Sequence, residues 1–364
     1  MARVDKILQG LKKQGWDSAL VTSTGNFFYV TNYYTDPHER VIVAFIHQQT
    51  EPVIVVPAME AEDAKACGWP YQIIGYEDHE NPWHLLQQEL DKRNIAPENL
   101  AIEWDHVTIE RHEAIKEIFP KTKLHDGKEL LAQIRVIKDE EEYSRLKQAA
   151  ALADYGVEIG VKAIQEGVSE IDIVAEIEYQ LKKRGVQGMS FSTMVLSGTK
   201  TASPHGTPSA KKITAGDLVL FDLGVIVDGY CSDITRTVAF QTISSEQKKI
   251  YETVLQAQET AIETSNIGVP AGDIDKAARD VIAKAGYGKY FNHRIGHGLG
   301  IETHEYPSMH QNNTLPLKPG MCYTIEPGIY QPGVGGVRIE DMIFVTKSGI
   351  EVLTKYPKEL TIIS

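Results

Sequence analysis

Leu218-Val-Leu-Phe-Asp222-Leu-Gly-Val-Ile-Val-Asp228-Gly229-Tyr-Cys-Ser-Asp233-Ile-Thr-Arg-Thr237 reads as two strands joined by a tight turn. An apolar run carries Asp222, the turn falls around Asp228-Gly229, and a second run carries Asp233. With a Val227-Asp228 loop the two aspartates face each other directly; with an Asp228-Gly229 loop they are diagonal neighbours. Both registers put them on one face, because strand side chains alternate with period two. Like charges on one ladder face repel, and an acid within an apolar run is costly to bury. A bound cation removes both objections. The ordinary alternative is a solvated Asp233 and an Asp222 that caps a turn.

Around this hairpin, helix patterns at 138–165, 170–184, 244–265 and 271–285 alternate with strand patterns near 192–196, 217–225, 229–240, 321–326 and 338–346. Strand pairs with short turns predict an antiparallel sheet, hence an α+β fold. Upstream, strand patterns at 18–22, 41–46, 53–56 and 100–103 lie among helix patterns at 4–13, 59–67, 82–93 and 107–118. This alternation predicts an α/β layer with a largely buried sheet. It contains no glycine-rich phosphate loop. The polar stretch Arg135-Val-Ile-Lys-Asp-Glu-Glu-Glu-Tyr opens a long helix whose first-turn acids suit a helix N-terminus. The boundary is expected within 125–138, giving domains at 1–130 and 131–364.

At 364 residues two domains are the default. A net charge of -13 argues against nucleic acid as a partner. No apolar run approaches the roughly 20 residues that span a bilayer, and the charged start does not resemble a secretory signal, so no membrane partner is expected. Cys67, Cys231 and Cys322 are too few and too scattered for a disulfide framework or a metal knuckle. The cytoplasm is the expected compartment.

Further chemistry-bearing residues follow in order. His293-Arg-Ile-Gly-His297-Gly-Leu-Gly-Ile-Glu-Thr-His304-Glu305 spaces three histidines among glycines that permit close backbone approach. Met321-Cys-Tyr-Thr-Ile-Glu326-Pro-Gly328 ends an apolar strand on a carboxylate, with proline stopping the ladder. The strand Gly336-Val-Arg338-Ile-Glu340-Asp-Met-Ile-Phe-Val345 puts Arg338 and Glu340 on one face, which by itself reads more readily as a surface salt-bridge strand. Two Asp, two Glu and one His form a donor set for manganese, cobalt, iron or zinc. Four carboxylates balance two divalent ions, and a water between such ions can ionise near neutral pH.

On these motifs the chain resembles the Xaa-Pro peptidases, prolidase and aminopeptidase P, over essentially its whole length. The back half resembles the pita-bread catalytic domain. The front half resembles the creatinase-type N-terminal domain, with Asn26-Phe-Phe-Tyr-Val-Thr31 and Glu39-Arg40 matching its strand and loop. The resemblance implies two divalent metal ions, manganese first. Asp222, Asp233 and Glu340 would hold one; Asp233, His297, Glu326 and Glu340 would hold the other. It further implies Glu326 as general acid and base, His304 and His205 (in Ala202-Ser-Pro-His205-Gly) as donors to the reacting carbonyl or the bound backbone, and His293 and Arg338 as substrate-positioning residues. Arg338 would hold a substrate carboxylate or brace Glu340. Thr235 shares a strand face with Asp233, where it would steer a ligand carboxylate or serve as an ordinary strand residue. Thr303 departs from the branched aliphatic usual in the histidine motif and reads as a packing change. The remaining histidines fall in no motif.

The implied substrates are short proline-containing peptides, and a homodimer is implied. Proline's amide has no hydrogen, so a site for that bond must hold the carbonyl, the chain ends and the ring. The compact length favours the dipeptidase, prolidase. Aminopeptidase P, with an open end beyond the proline, is the alternative. Methionine aminopeptidase lacks the front domain, creatinase works without metal, and a metal-free binding module would have lost ligands.

Overall fold

The computed structural model describes residues 2–364, which divide into two compact units after Arg135. The first unit is one six-stranded sheet with helices: α1 (Ala2–Gln14), β1 (Ser18–Val21), α2 (Thr24–Thr31), β2 (Val43–His47), β3 (Thr50–Pro57), α3 (Ala61–Ala66), β4 (Gln72–Tyr76), α4 (Pro82–Lys92), β5 (Asn99–Ile102), α5 (Ile109–Ile118), β6 (Lys123–Asp126) and α6 (Lys128–Arg135). The strand order is β4-β3-β2-β1-β5-β6. Only β2 runs against its neighbours; the other pairs are parallel. Its core gathers Leu20, Phe45, Val53, Val55, Trp83, Leu86 and Ile115, and β2 is buried along its whole length. This accounts for the near-continuous apolar runs in the sequence.

One expectation is corrected here. Asn26–Thr31 is helical, not a strand. Ser23 caps the helix by accepting from Asn26 N–H, and the buried Glu103 carboxylate accepts from the backbone N–H groups of Thr22 and Ser23. A negative charge and a cap at a helix N-terminus outweigh the strand preference of Phe27, Phe28, Tyr29 and Val30. Because those four residues are all buried, their pattern carried no period to reveal the helix.

The second unit opens with α7 (Glu140–Lys162), held by a reciprocal cap between Asp139 and Glu142, followed by α8 (Glu170–Lys183). The strands β7 (Gly188–Met189), β8 (Met194–Ser197), β9 (Leu218–Leu223), β10 (Val225–Val227), β11 (Tyr230–Cys231) and β12 (Ile234–Phe240) come next, then α9 (Ser245–Thr264) and α10 (Ala271–Lys284). The chain finishes with β13 (Gly296–Gly298), β14 (Glu305–Met309), β15 (Cys322–Ile325), β16 (Gly328–Gln331), β17 (Gly335–Arg338), β18 (Asp341–Thr346), β19 (Gly349–Val352) and β20 (Ile362–Ile363). The two larger sheets have the orders β20-β12-β9-β8 and β14-β13-β15-β18-β19. Every ladder of this unit is antiparallel except β12 with β20, so the predicted α+β character holds. Residues of α7 and α8 form one core with Val219, Phe221, Leu223 and Val238; residues of α9 and α10 form another with Tyr323, Ile325, Val337 and Ile343. This is the pita-bread arrangement, with two helix pairs packed on antiparallel sheets.

The hairpin settles on the second register. Asp228 (φ 46) and Gly229 (φ 77) take the left-handed turn positions, and Val227 pairs with Tyr230. Left-handed backbone at both central residues is what a type I′ hairpin turn requires. Asp222 therefore opposes Thr235, with Asp233 diagonal to it on the same face. The continuous strand expected over 336–345 is two strands. Gly335–Arg338 pairs with β16, whereas Asp341–Thr346 pairs with β15 and β19. The chain changes sheets at Ile339-Glu340, where Glu340 N–H bonds to Thr235 O at 3.1 Å.

Candidate active site

Strand ends and irregularities deliver the site. Asp222 lies in β9, Asp233 in the gap between β11 and β12, Glu326 between β15 and β16, and Glu340 between β17 and β18. His297 is the middle residue of β13, where its glycine neighbours are needed for space. A Cβ at Gly296 would sit 1.9 Å from Thr324 O, and one at Gly298 would sit 2.3 Å from Tyr306 O. Without side chains there, β13 slots between β14 and β15 and the imidazole points at the acids.

Ligand atoms of the buried Asp233, His297 and Glu340 lie within 4.8 Å of one another. His297 Nε2 is 3.7 Å from Asp233 Oδ2 and 3.3 Å from Glu326 Oε1. Asp222 joins the group through its charge on Asp233 and Glu340. All five residues proposed from the sequence thus converge. Burial, with the neighbouring carboxylates adding to it, pushes Asp233 and Glu340 well above the ordinary carboxylate range. Burial also raises Asp222, against the pull of Arg338. Burial acts upward on Glu326 too. The hydrogen bond from His297 and the charges of His297, His293 and Arg338 outweigh it and hold that carboxyl at about 2.

Asp222 Oδ1 and Glu340 Oε1 are buried and have no hydrogen-bond partner among the described residues. Buried acceptors are normally paired, and these two oxygens point to a cation. Hard carboxylate oxygens plus one imidazole fit divalent metal ions. A stability test follows. Groups whose folded pKa is raised favour the protonated folded state, so their contribution is fully present below about pH 4 and is lost as pH rises toward the raised value. In metal-free protein, Asp233→Asn removes that loss. Its melting temperature should therefore exceed the wild type's by a margin that widens from pH 4 to pH 8, while stabilisation by Mn²⁺ disappears. A constant or narrowing margin in thermal melts would show that Asp233 is not held against its preferred ionisation.

Supporting residues are tied in closely. Thr235 Oγ1 donates to Glu340 Oε2 at 2.7 Å and accepts from Arg338 Nε at 3.0 Å, the carboxylate-steering contact considered for this threonine. Arg338 is buried, and its other nitrogens donate to Tyr330 OH (2.9 Å), Pro204 O (3.3 Å) and Asp222 Oδ2. Behind Glu340, the buried Arg236 donates to the backbone oxygens of Thr235 and Glu340 and pairs with Asp341. His293 Nε2 is 3.2 Å from Tyr330 OH, and its Nδ1 is 2.8 Å from Arg294 O. Burial lowers the pKa of His293, and Arg338 and Arg279 add to the effect against Glu326.

The His304 ring packs on His297 with centroids 4.0 Å apart. Its surroundings exclude water from part of the ring, and with the charges of His297 and Arg294 this brings its pKa to about 4. His205 sits on an exposed loop and reaches the site as an electrostatic neighbour of His304. That loop is anchored at Glu170, fully buried, which accepts from the N–H and Oγ of both Ser197 and Ser209 and from Lys200. Thr303 does more than fill space, since its hydroxyl donates to Ser190 O at 3.2 Å.

Two residues escaped the sequence reading. Tyr330 joins His293 to Arg338, and burial raises its phenol to about 12. Arg294 is half-buried, donates from Nη1 to Ser308 Oγ at 2.9 Å, and is felt electrostatically by His304. Arg294 was visible as the one cation inside the histidine segment. Tyr330 follows the Glu-Pro-Gly turn, where nothing in the sequence set it apart from a strand tyrosine.

A pita-bread unit with four converging acids and a histidine defines a metallopeptidase. Residues 144–347 match metallopeptidase family M24, and residues 3–137 match the creatinase/prolidase N-terminal domain. The chain belongs to metallopeptidase family M24. It is 54% identical over 363 residues, 100% of both chains, to the protein named "Putative dipeptidase YkvY" of Bacillus subtilis (strain 168). Among solved structures, an Xaa-Pro dipeptidase from Bacillus anthracis superposes with a TM-score of 0.92 at 36% identity, covering 100% of this chain and 99% of that one. A recombinant prolidase from Thermococcus sibiricus gives a TM-score of 0.93 at 37% identity, covering 99% and 98%.

Proposed function

We propose that this protein is an Xaa-Pro dipeptidase that hydrolyses the bond preceding proline. The observation that carries the reading is the convergence of Asp222, Asp233, His297, Glu326 and Glu340 around two orphaned buried oxygens. The full-length similarity to dipeptidases and prolidases supports it. Those five side chains would hold two divalent ions, manganese first. When bound, such ions supply Lewis acidity and a water that ionises near neutral pH.

The protein's own groups supply the rest. Glu326, ionised at all working pH values, accepts the proton from the attacking water at its carboxylate and delivers it to the proline nitrogen, which leaves as an amine. His304 stays neutral near pH 7 and still carries one ring N–H, which it offers to the developing oxyanion. His205, on the loop beside it, donates to the bound backbone, and His293 positions the substrate. Arg338 is committed within the protein to Asp222, Thr235, Tyr330 and Pro204, which supports its role as a brace. The free cysteines Cys67, Cys231 and Cys322 suit a cytoplasmic enzyme.

A dipeptidase must also recognise the carboxylate one residue beyond the scissile bond. Arg294, half-buried near His304 and bonded through one nitrogen to Ser308, supplies a cation with donors to spare. Arg294→Met should raise KM for Ala-Pro about tenfold or more, the worth of one charge-assisted pair, and leave Ala-Pro amide hydrolysis nearly unchanged. Equal losses on both substrates would remove Arg294 from carboxylate recognition. Failure of the wild type to cleave Ala-Pro with Mn²⁺ bound would overturn the dipeptidase reading.

A further inference from the structure

Lys138 and Glu305 form an ion pair at 3.1 Å with side chains only 1% and 5% exposed. A buried pair of this kind is poor evidence for stability, because desolvating two charges consumes most of their attraction. Its position is informative instead. Lys138 lies in the segment that leads into α7, where its own N–H is fixed to Gly320 O at 2.8 Å. Glu305 is the residue after His304. Its second oxygen, Oε1, accepts from Glu302 N–H at 3.0 Å, so the carboxylate closes the 302–305 turn from within. Gly300 is shaped around the same group, since a Cβ there would lie 2.7 Å from Glu305 Oε2.

The remaining anchors of this loop are weaker in kind. Gly300 O accepts from Cys231 N–H at 2.7 Å, Ile301 O faces the Cys231 thiol at 3.3 Å, and Thr303 bonds Ser190 O. On either side of His304, Thr303 makes that neutral bond and the Glu305 backbone pairs with Gly298 as β14 begins. The ion pair adds a buried, charged side-chain anchor at the residue after His304, whose ring packs on His297.

We propose that Lys138 is a positioning residue for catalysis, acting through Glu305 to hold the His304 imidazole in register with the metal-binding cluster. This rests on the reading of His304 as a donor to the reacting carbonyl. A displacement of about 1 Å in such a group costs on the order of tenfold to a hundredfold in rate.

The test is a double-mutant cycle on Ala-Pro hydrolysis at saturating Mn²⁺, with bound metal measured for each variant. Lys138→Met should lower kcat about tenfold with KM within about twofold, at wild-type metal content, and Lys138→Arg should restore most of the loss. On a His304→Ala background the same change should cost less than about twofold, since residues acting as one unit are not additive. Additive losses, or a rate loss that tracks lost metal, would overturn the inference and leave the site reading intact. A His304→Ala variant with wild-type kcat would overturn the role of His304 itself and the inference with it. If Lys138→Met does not fold, Glu305→Gln, which keeps the shape and the acceptor but removes the charge, takes its place in the cycle under the same criteria.

Discussion

Glu340→Ala should abolish metal-dependent Xaa-Pro hydrolysis, lowering kcat/KM by about a thousandfold or more. Glu340 stands where the chain changes sheets, with one oxygen bonded to Thr235 and the other buried without a partner among the described residues. Alanine removes the unpartnered oxygen and opens the ring of ligands. It also removes a carboxyl that burial and its acidic neighbours keep from ionising, so the metal-free fold should lose little and can gain. The expected signature is opposite in sign for the two properties: activity and bound metal fall while the metal-free melting temperature holds or rises. Circular dichroism melts with metal analysis check it. A variant that keeps both its metal and more than a tenth of its rate would show that Glu340 is not a ligand.

Glu326→Gln carries the second large effect. Glutamine keeps an oxygen that can face a cation but cannot accept a proton. Removing a general acid and base costs about a hundredfold to ten-thousandfold. kcat for Ala-Pro should fall by that range at saturating Mn²⁺, with KM changed far less. The acid limb of the pH–rate profile should not be set by Glu326 in the wild type, because its carboxyl already sits at about 2. The competing outcome is full recovery of rate at high Mn²⁺, which would make Glu326 a ligand without a proton-transfer role.

Much of this site was legible because its residues break local rules. An aspartate inside an apolar strand, a glutamate at a strand end before proline, and a histidine between glycines each conflict with ordinary packing. A shared cation resolves the conflicts together. The hairpin could be narrowed to two registers because strand periodicity fixes the face whatever the loop. Choosing between them required the backbone of Asp228 and Gly229.

Elements that escaped did so for physical reasons. The β6 strand is a polar edge, Lys-Leu-His-Asp, with no alternation to follow, and α6 falls within 125–138, where the domain boundary was expected. The α2 helix hides behind β-forming residues because its cap is completed by Glu103, which is 77 to 81 positions away from its partners. The same holds for function. The engagement of Arg338 with Asp222 spans 116 positions, and that of Thr235 with Glu340 spans 105. Sequence spacing has no access to contacts of that range, so the arginine's contacts with Asp222 and Thr235 became visible only in the folded chain.

The most direct measurement is product analysis of chelated protein reconstituted with Mn²⁺ and offered Ala-Pro and Ala-Pro-Ala side by side. Release of alanine and proline from the dipeptide is expected, with little or no cleavage of the tripeptide and loss of the activity on chelation. Preferred release of alanine from Ala-Pro-Ala would contradict it and make the protein an aminopeptidase of the P type.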